Sequence, residues 1–265
     1  MNRSCANWLW NGLQFEPAAG LPFSDRGVRY GMSVFETLRV REGRAEFWAA
    51  HWERLQAALQ TCGFMAPEGA LEAIPGLFPW GKREGVARVY VTAGDGGPAD
   101  PVTNSRVAVL FEERPGLMAD SYSIVVDGEP HLPPFGGVKT ANYWKNAESL
   151  RAALAGGANE ALLFNPAGAL IGACMANVFV KTGGEWTTPS LACGARAGVV
   201  RAWARQALSA RESLLDAALV LEAEAIFLTS SWLGVMPVER IGGRKLTPLP
   251  EEVLSLRAAW DSMPK

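Results

Sequence analysis

The chain has 265 residues, enough for one large domain or two medium ones around real cores. Apolar residues make up 49% and charged residues 20%, and a formal net charge of −2 gives no electrostatic argument for nucleic acid or an anionic membrane. No uncharged apolar run approaches the ~20 residues that a bilayer span requires, and Met1–Trp8 lacks the apolar core of a signal peptide, so a cytoplasmic location is the expectation. Cys5, Cys62, Cys174 and Cys193 are scattered, with no CxxC pair and only His51 and His131 beside them, which argues for reduced thiols and against a metal site.

In chain order, Trp8-Leu9-Trp10 and Leu13-Gln14-Phe15 read as strands joined by the Asn11-Gly12 turn. Ser33–Val40 alternates imperfectly as a strand, and Glu42-Gly43 turns it into Arg44–Trp48. Ala49–Cys62 places Trp52, Leu55, Ala58 and Leu59 on one helical face, with Gly63 as its stop. A second helix is expected near Glu68–Ile74, then strands at Val86–Thr92 and Arg106–Phe111, separated by a Gly-, Pro- and Asp-rich loop. Glu112–Gly116 reads as a linker, dividing a domain of residues 1–114 from one of residues 115–265.

The second half opens with a strand at Tyr122–Val126. A helix follows over Asn142–Ala155, closed by Gly156-Gly157, then short strands at Glu160–Phe164, Asn177–Lys181 and Glu185–Thr187. A helix begins near Gly198 and runs toward Ala210, Glu222–Leu228 mixes helix end and strand, and Val238–Ile241 is the last clear strand. The mixture predicts an α+β fold with two lobes.

Three stretches stand out in the second half: Gly137-Val138-Lys139-Thr140-Ala141-Asn142-Tyr143, Asn159–Leu170, and Met175-Ala176-Asn177-Val178-Phe179-Val180. Taken alone, Lys139 could be a solvated lysine ahead of a helix and Tyr143 a packed helix residue. Gly194–Arg201 places glycines before a predicted helix, where backbone N–H groups and the helix dipole suit a phosphate, and Thr229-Ser230-Ser231 is either a hydroxyl-lined turn or a plain polar one. In the first half, Asp25–Gly31, Phe35-Glu36-Thr37 and His51-Trp52-Glu53-Arg54-Leu55 add further motifs.

In order and spacing, from about residue 8 to 245, these stretches resemble the class IV aminotransferase family of fold-type-IV pyridoxal phosphate (PLP) enzymes. The resemblance implies a two-lobed fold, with a small N-terminal α/β domain and a larger C-terminal domain around a mixed, barrel-like sheet. It implies that Lys139 bonds covalently to the cofactor and that Tyr143 lies near its phenolic oxygen. Val199 and Val200 amides, with Ser230 and Ser231 hydroxyls, would hold the phosphate, joined by Arg54. Tyr30 would line the substrate pocket. Arg88 would bind a substrate carboxylate, with a structural ion pair as the equal alternative. A homodimer acting on a small amino substrate is the family's habit.

The sequence departs from the family at one place. The family sets a glutamate before the Asn-x-Phe strand, where it favours a protonated ring nitrogen. Here that position is Gly172. The tail Leu228–Val238 looks most like that of the aminodeoxychorismate lyases, which release pyruvate and leave 4-aminobenzoate. The alternatives are an aminotransferase for branched-chain or D-amino acids, and a relative that lost catalysis with that glutamate.

Overall fold

The computed structural model describes residues 5–77, 84–114, 119–246 and 248–263. The chain separates into two compact units. Met1–Gly116 forms the first together with Val138–Asn142, and the second holds Leu117–Gly137 and Tyr143–Pro264. The short Val138–Asn142 segment thus belongs with strands more than a hundred residues upstream.

The first unit contains β1 (Cys5–Trp10), β2 (Phe15–Pro17), α1 (Arg26–Tyr30), β3 (Ser33–Arg41), β4 (Arg44–Ala45), α2 (Trp48–Thr61), α3 (Ala70–Ala73), β5 (Gly85–Thr92) and β6 (Arg106–Glu113). Its strands form one antiparallel sheet in the order β2-β1-β6-β5-β3-β4. Along β3, Val34, Leu38 and Val40 point into the core, and the amphipathic α2 packs Leu55, Ala58 and Leu59 onto them. The first hairpin turns more widely than expected, because Asn11 Oδ1 accepts both the Leu13 and Gln14 N–H groups. Trp48 starts α2 instead of ending a strand. The expected linker is strand at Glu112 and Glu113, which pair with Val86 and Gly85; Pro115 and Gly116 lie outside the described residues.

The sequence motif at Asp25 has a structural purpose. Buried Asp25 accepts hydrogen bonds from Gly27 N–H, Thr92 Oγ1 and Arg106. Buried Arg26 donates to the carbonyls of Ala93 at 2.5 Å and Asp100 at 2.8 Å, so it ties down the loop after β5. Buried charges persist where every donor finds an acceptor.

The second unit contains β7 (Tyr122–Val126), α4 (Trp144–Ala155), β8 (Glu160–Phe164), β9 (Leu170–Ala173), β10 (Asn177–Thr182), β11 (Glu185–Pro189), α5 (Val199–Ala207), β12 (Arg211–Ser213), α6 (Ala217–Leu221), β13 (Ala225–Ser230), β14 (Gly234–Ile241), β15 (Arg244–Lys245) and α7 (Glu251–Ser262). The mixed sheet runs β12-β11-β10-β13-β14-β7-β8-β9, with β15 on β14. β9, at one end of that order, also lies against β10 and β11, so the sheet curls toward a barrel. Leu162, Val178, Val180, Ile226, Leu228, Met236 and Val238 fill it. The C-terminal helix α7, which the sequence pattern did not announce, buries Val253, Leu256 and Trp260. No helix among the described residues is long and apolar enough to cross a membrane.

Candidate active site

Lys139 is fixed by backbone pairing. β4 covers only the far end of β3, at Val40 and Arg41, which leaves the Ser33–Phe35 end as an edge. The segment 139–141 takes that edge. Phe35 N–H donates to Lys139 O at 2.9 Å, Ala141 N–H donates to Ser33 O at 2.9 Å, and Val34 bridges Thr140. An unpaired strand edge binds any extended segment that satisfies its N–H and C=O groups. The half-buried Lys139 side chain then lies with Nζ 3.9 Å from the Phe35 ring centroid, and Phe35 stacks on Tyr90. An ammonium over an aromatic face is held there by the ring quadrupole.

Next to Phe35 on β3, and on its opposite, core-facing side, is Glu36, 1% exposed. Its carboxylate accepts Arg54 Nε at 2.7 Å and Nη2 at 2.5 Å, a two-pronged contact, and His51 Nδ1 lies 2.7 Å away. His51 and Arg54 sit three residues apart on α2, so both reach one carboxylate from one helical face. Burial alone would raise the Glu36 carboxyl; the Arg54 charge and the His51 and Arg54 hydrogen bonds more than offset it and hold it at about 2. Burial pushes the His51 imidazole down, against the pull of Glu36. Arg54 is therefore a positioned cation. Tyr30, at the end of α1, is 40% exposed beneath the Arg29 guanidinium. Arg88 is engaged in an ion pair with Glu112 on the neighbouring strand.

In the second unit, the loop before α5 is fastened to the start of β10. Asn177 Nδ2 donates to Arg196 O at 2.8 Å, and its Oδ1 occupies the space beside Gly198. A Cβ on Gly198 would stand 2.0 Å from that oxygen, so only glycine allows the approach. Gly198 is the N-cap of α5 and offers no side-chain oxygen to the first turn. The N–H groups of Val199 and Val200 thus open a helix with no cap, a geometry that suits an anion. Asn177 is in register with Thr229, and Ser230 and Ser231 follow at the same end of the sheet. Ser230 Oγ accepts Leu233 N–H at 3.1 Å, while the buried Thr229 Oγ1 has no partner. Tyr143 Oη accepts a hydrogen bond from Arg196 Nη1 at 2.6 Å.

Gly172 lies on β9 opposite Leu163 with φ +150°, and the only foreign atom within 4 Å of a built Cβ is Ala176 O, at 3.2 Å. On β8, the strand paired with β9, Glu160 is 2% exposed. Its Oε1 accepts Met175 N–H at 3.0 Å and its Oε2 has no partner. Burial, only partly countered by backbone N–H groups, pushes this carboxyl up to about 7. The sequence motifs contained Glu36 and His51 but assigned them no role. A charged residue at an inward position of β3, with a His and an Arg one helical turn apart after it, was the available signal. Arg196 and Glu160 had none, since their surroundings come from distant segments. Among the described residues, no group of three His, Cys, Asp or Glu could hold a metal ion.

Comparison with known proteins bears on this geometry. The sequence model described as amino-transferase class IV matches residues 33–241. An aminodeoxychorismate lyase of Vibrio harveyi is 28% identical over 258 residues, covering 88% of this chain and 90% of that protein. A branched-chain aminotransferase from Thermoproteus uzoniensis superposes with a TM-score of 0.85 at 18% identity, over 97% of this chain and 94% of the other. An aminotransferase from Brucella abortus, bound to PLP, gives 0.81 at 23% identity over 96% and 97%.

Proposed function

The chain belongs to the class IV aminotransferase family of PLP-dependent enzymes, and from that premise we propose that it binds PLP and acts as a 4-amino-4-deoxychorismate lyase-like enzyme. The observation that supports this most is the clamping of Lys139 on the β3 edge, in a chain similar to a lyase over 88% of its length. Lys139 would carry the cofactor. Arg54, the Val199 and Val200 amides and the Ser230 and Ser231 hydroxyls would meet its phosphate, each being a cation or a hydrogen-bond donor of the kind a dianion requires.

When bound, PLP supplies an aldehyde for the substrate amine and a conjugated ring that accepts electrons. The rest falls to the chain. Glu36 holds the Arg54 fork in a fixed plane. Freed when the substrate amine takes its place on the cofactor, Lys139 Nζ would take the proton from the substrate carbon that bears the amino group. The ether at the neighbouring carbon leaves as enolpyruvate, the ring becomes aromatic, and the same amine returns a proton to the departing methylene to give pyruvate. Because Gly172 has no carboxylate, ring-nitrogen protonation lacks its usual support. A reaction driven by forming an aromatic product tolerates that loss better than transamination does.

Purified protein with PLP and 4-amino-4-deoxychorismate should release pyruvate and 4-aminobenzoate in equal amounts. A visible absorbance band should be fixed by borohydride and be absent from Lys139→Ala. Amino-group transfer to a keto acid without 4-aminobenzoate release would replace the lyase reading with the aminotransferase one. A protein that stays colourless with added PLP would end both.

A further inference from the structure

Among the described residues, several arginines withdrawn from water meet a carboxylate or a cluster of carbonyls. Arg26 donates to several carbonyls, Arg54 meets Glu36, Arg88 meets Glu112, Arg106 meets Asp25 and Asp95, and Arg201 meets Glu212 and the Pro189 carbonyl. Arg196 is different. It is half-buried in the loop before α5, with its backbone fixed by Asn177 Nδ2 and by Gly198 N–H, both on its carbonyl. Its Nη1 donates to Tyr143 Oη at 2.6 Å, and its guanidinium carbon lies 5.4 Å from the Tyr143 ring centroid. Its Nε is buried with no acceptor, as are those of Arg114 and Arg201, but where those two meet Glu112 and Glu212, no carboxylate reaches Arg196 among the described residues.

The surroundings add positive charge. Burial, then Lys145 and Arg196, all press the His131 imidazole down. Asp127, the carboxylate that opposes them at His131, is already engaged by Ser149 and Lys145. A partly desolvated guanidinium with an unused donor and no counterion is costly unless an anion completes it. The planar fork matches a carboxylate in two-pronged contact better than it matches a neutral group.

We propose that Arg196, held in plane by Tyr143, is the receptor for the substrate carboxylate that pyruvate carries. The assignment rests on the enzymatic reading above only for what carries that carboxylate; the receptor itself is built from protein groups. Tyr143 acts as a positioning residue. Arg196 also lies two residues before the α5 N-cap Gly198, so the same oxyanion chemistry could come from a cofactor phosphate, and the test separates the two sources.

Pyruvate is the probe, because it carries the carboxylate under either the lyase or the aminotransferase reading. Its binding is measured by calorimetry on the protein with and without PLP, and PLP affinity is titrated separately. Arg196→Gln should weaken pyruvate at least tenfold while PLP affinity stays within twofold. Arg196→Lys should recover part of the loss, and Tyr143→Phe should weaken pyruvate less than Arg196→Gln does. Melting temperatures of all three should stay near that of the parent. Undetectable binding to the parent, an unchanged pyruvate affinity in Arg196→Gln, or a PLP affinity that falls as far as that for pyruvate overturns the assignment. If the parent fails to take up PLP, the enzymatic reading fails, while pyruvate binding without PLP still decides the role of Arg196.

Discussion

Glu36 and Glu160 are both almost fully buried, and their environments push them in opposite directions. Glu36 meets a guanidinium and an imidazole and stays ionised down to about pH 2. Glu160 meets backbone N–H groups and the Cys174 thiol but no cation, leaves Oε2 without a partner, and holds its proton up to about 7. Burial is the same for the two. What differs is whether a cation was carried into the core with the carboxylate, and that decides whether the group helps or hinders the fold at neutral pH.

The largest expected effect breaks the first half of this contrast. Glu36→Ala leaves Arg54 and His51 facing an empty core position, and removing one member of a buried ionic cluster costs about 3–5 kcal/mol. Urea unfolding at pH 7 measures it; a loss below 1 kcal/mol would show that Arg54 finds another acceptor. The same cluster sets the acid limit. The folded Glu36 value lies below the ordinary 4.5, so its contribution is complete above that value and disappears as pH falls toward about 2. Glu36→Gln should flatten that part of the stability curve.

Glu160 gives the opposite slope. Its folded value lies above 4.5, so the folded state binds the extra proton and loses stability as pH rises from about 4.5 through about 7. A shift of that size amounts to roughly 3 kcal/mol. Glu160→Gln keeps an acceptor for Met175 N–H and cannot ionise, so its stability relative to the parent should improve steadily across that window. A parallel pair of curves would mean that Glu160 is ionised at no cost.

The smallest effect lies at Gly172, on β9, the strand that pairs with the β8 of Glu160. Gly172→Ala should cost about 1–3 kcal/mol, because φ +150° is a conformation that only glycine adopts without strain. Thermal unfolding tests this. A neutral outcome would mean that the strand end relaxes and that a glutamate placed there could be accommodated too.

Much of this was legible in the chain. Lys139, Asn142-Tyr143, Asn177 and Gly198 are signals carried by residue type and spacing, and the long periodic segments at β3, α2, β5, β6, α4, β8 and β10 form where expected, whereas the first hairpin turns more widely, Trp48 joins α2, the expected linker is strand, and the short α1, β9, β12 and α6 gave no signal. Helix α7 was not legible, since its apolar positions Val253, Leu256 and Trp260 are diluted by charged neighbours. The roles of Glu36 and His51 were half legible, in motifs whose purpose the spacing did not reveal.

The sequence by itself determined the family, and through that resemblance it singled out Lys139 and Gly172, because these depend on which residue stands at which position. Only the tertiary structure decided that segment 138–142 belongs to the first unit, that Arg54 is held by Glu36, and that Arg196 stands beside Tyr143 with no carboxylate on it among the described residues. Each of those rests on residues more than fifteen positions apart. Their charge and hydrogen-bond partners exist only after the backbone has brought them together.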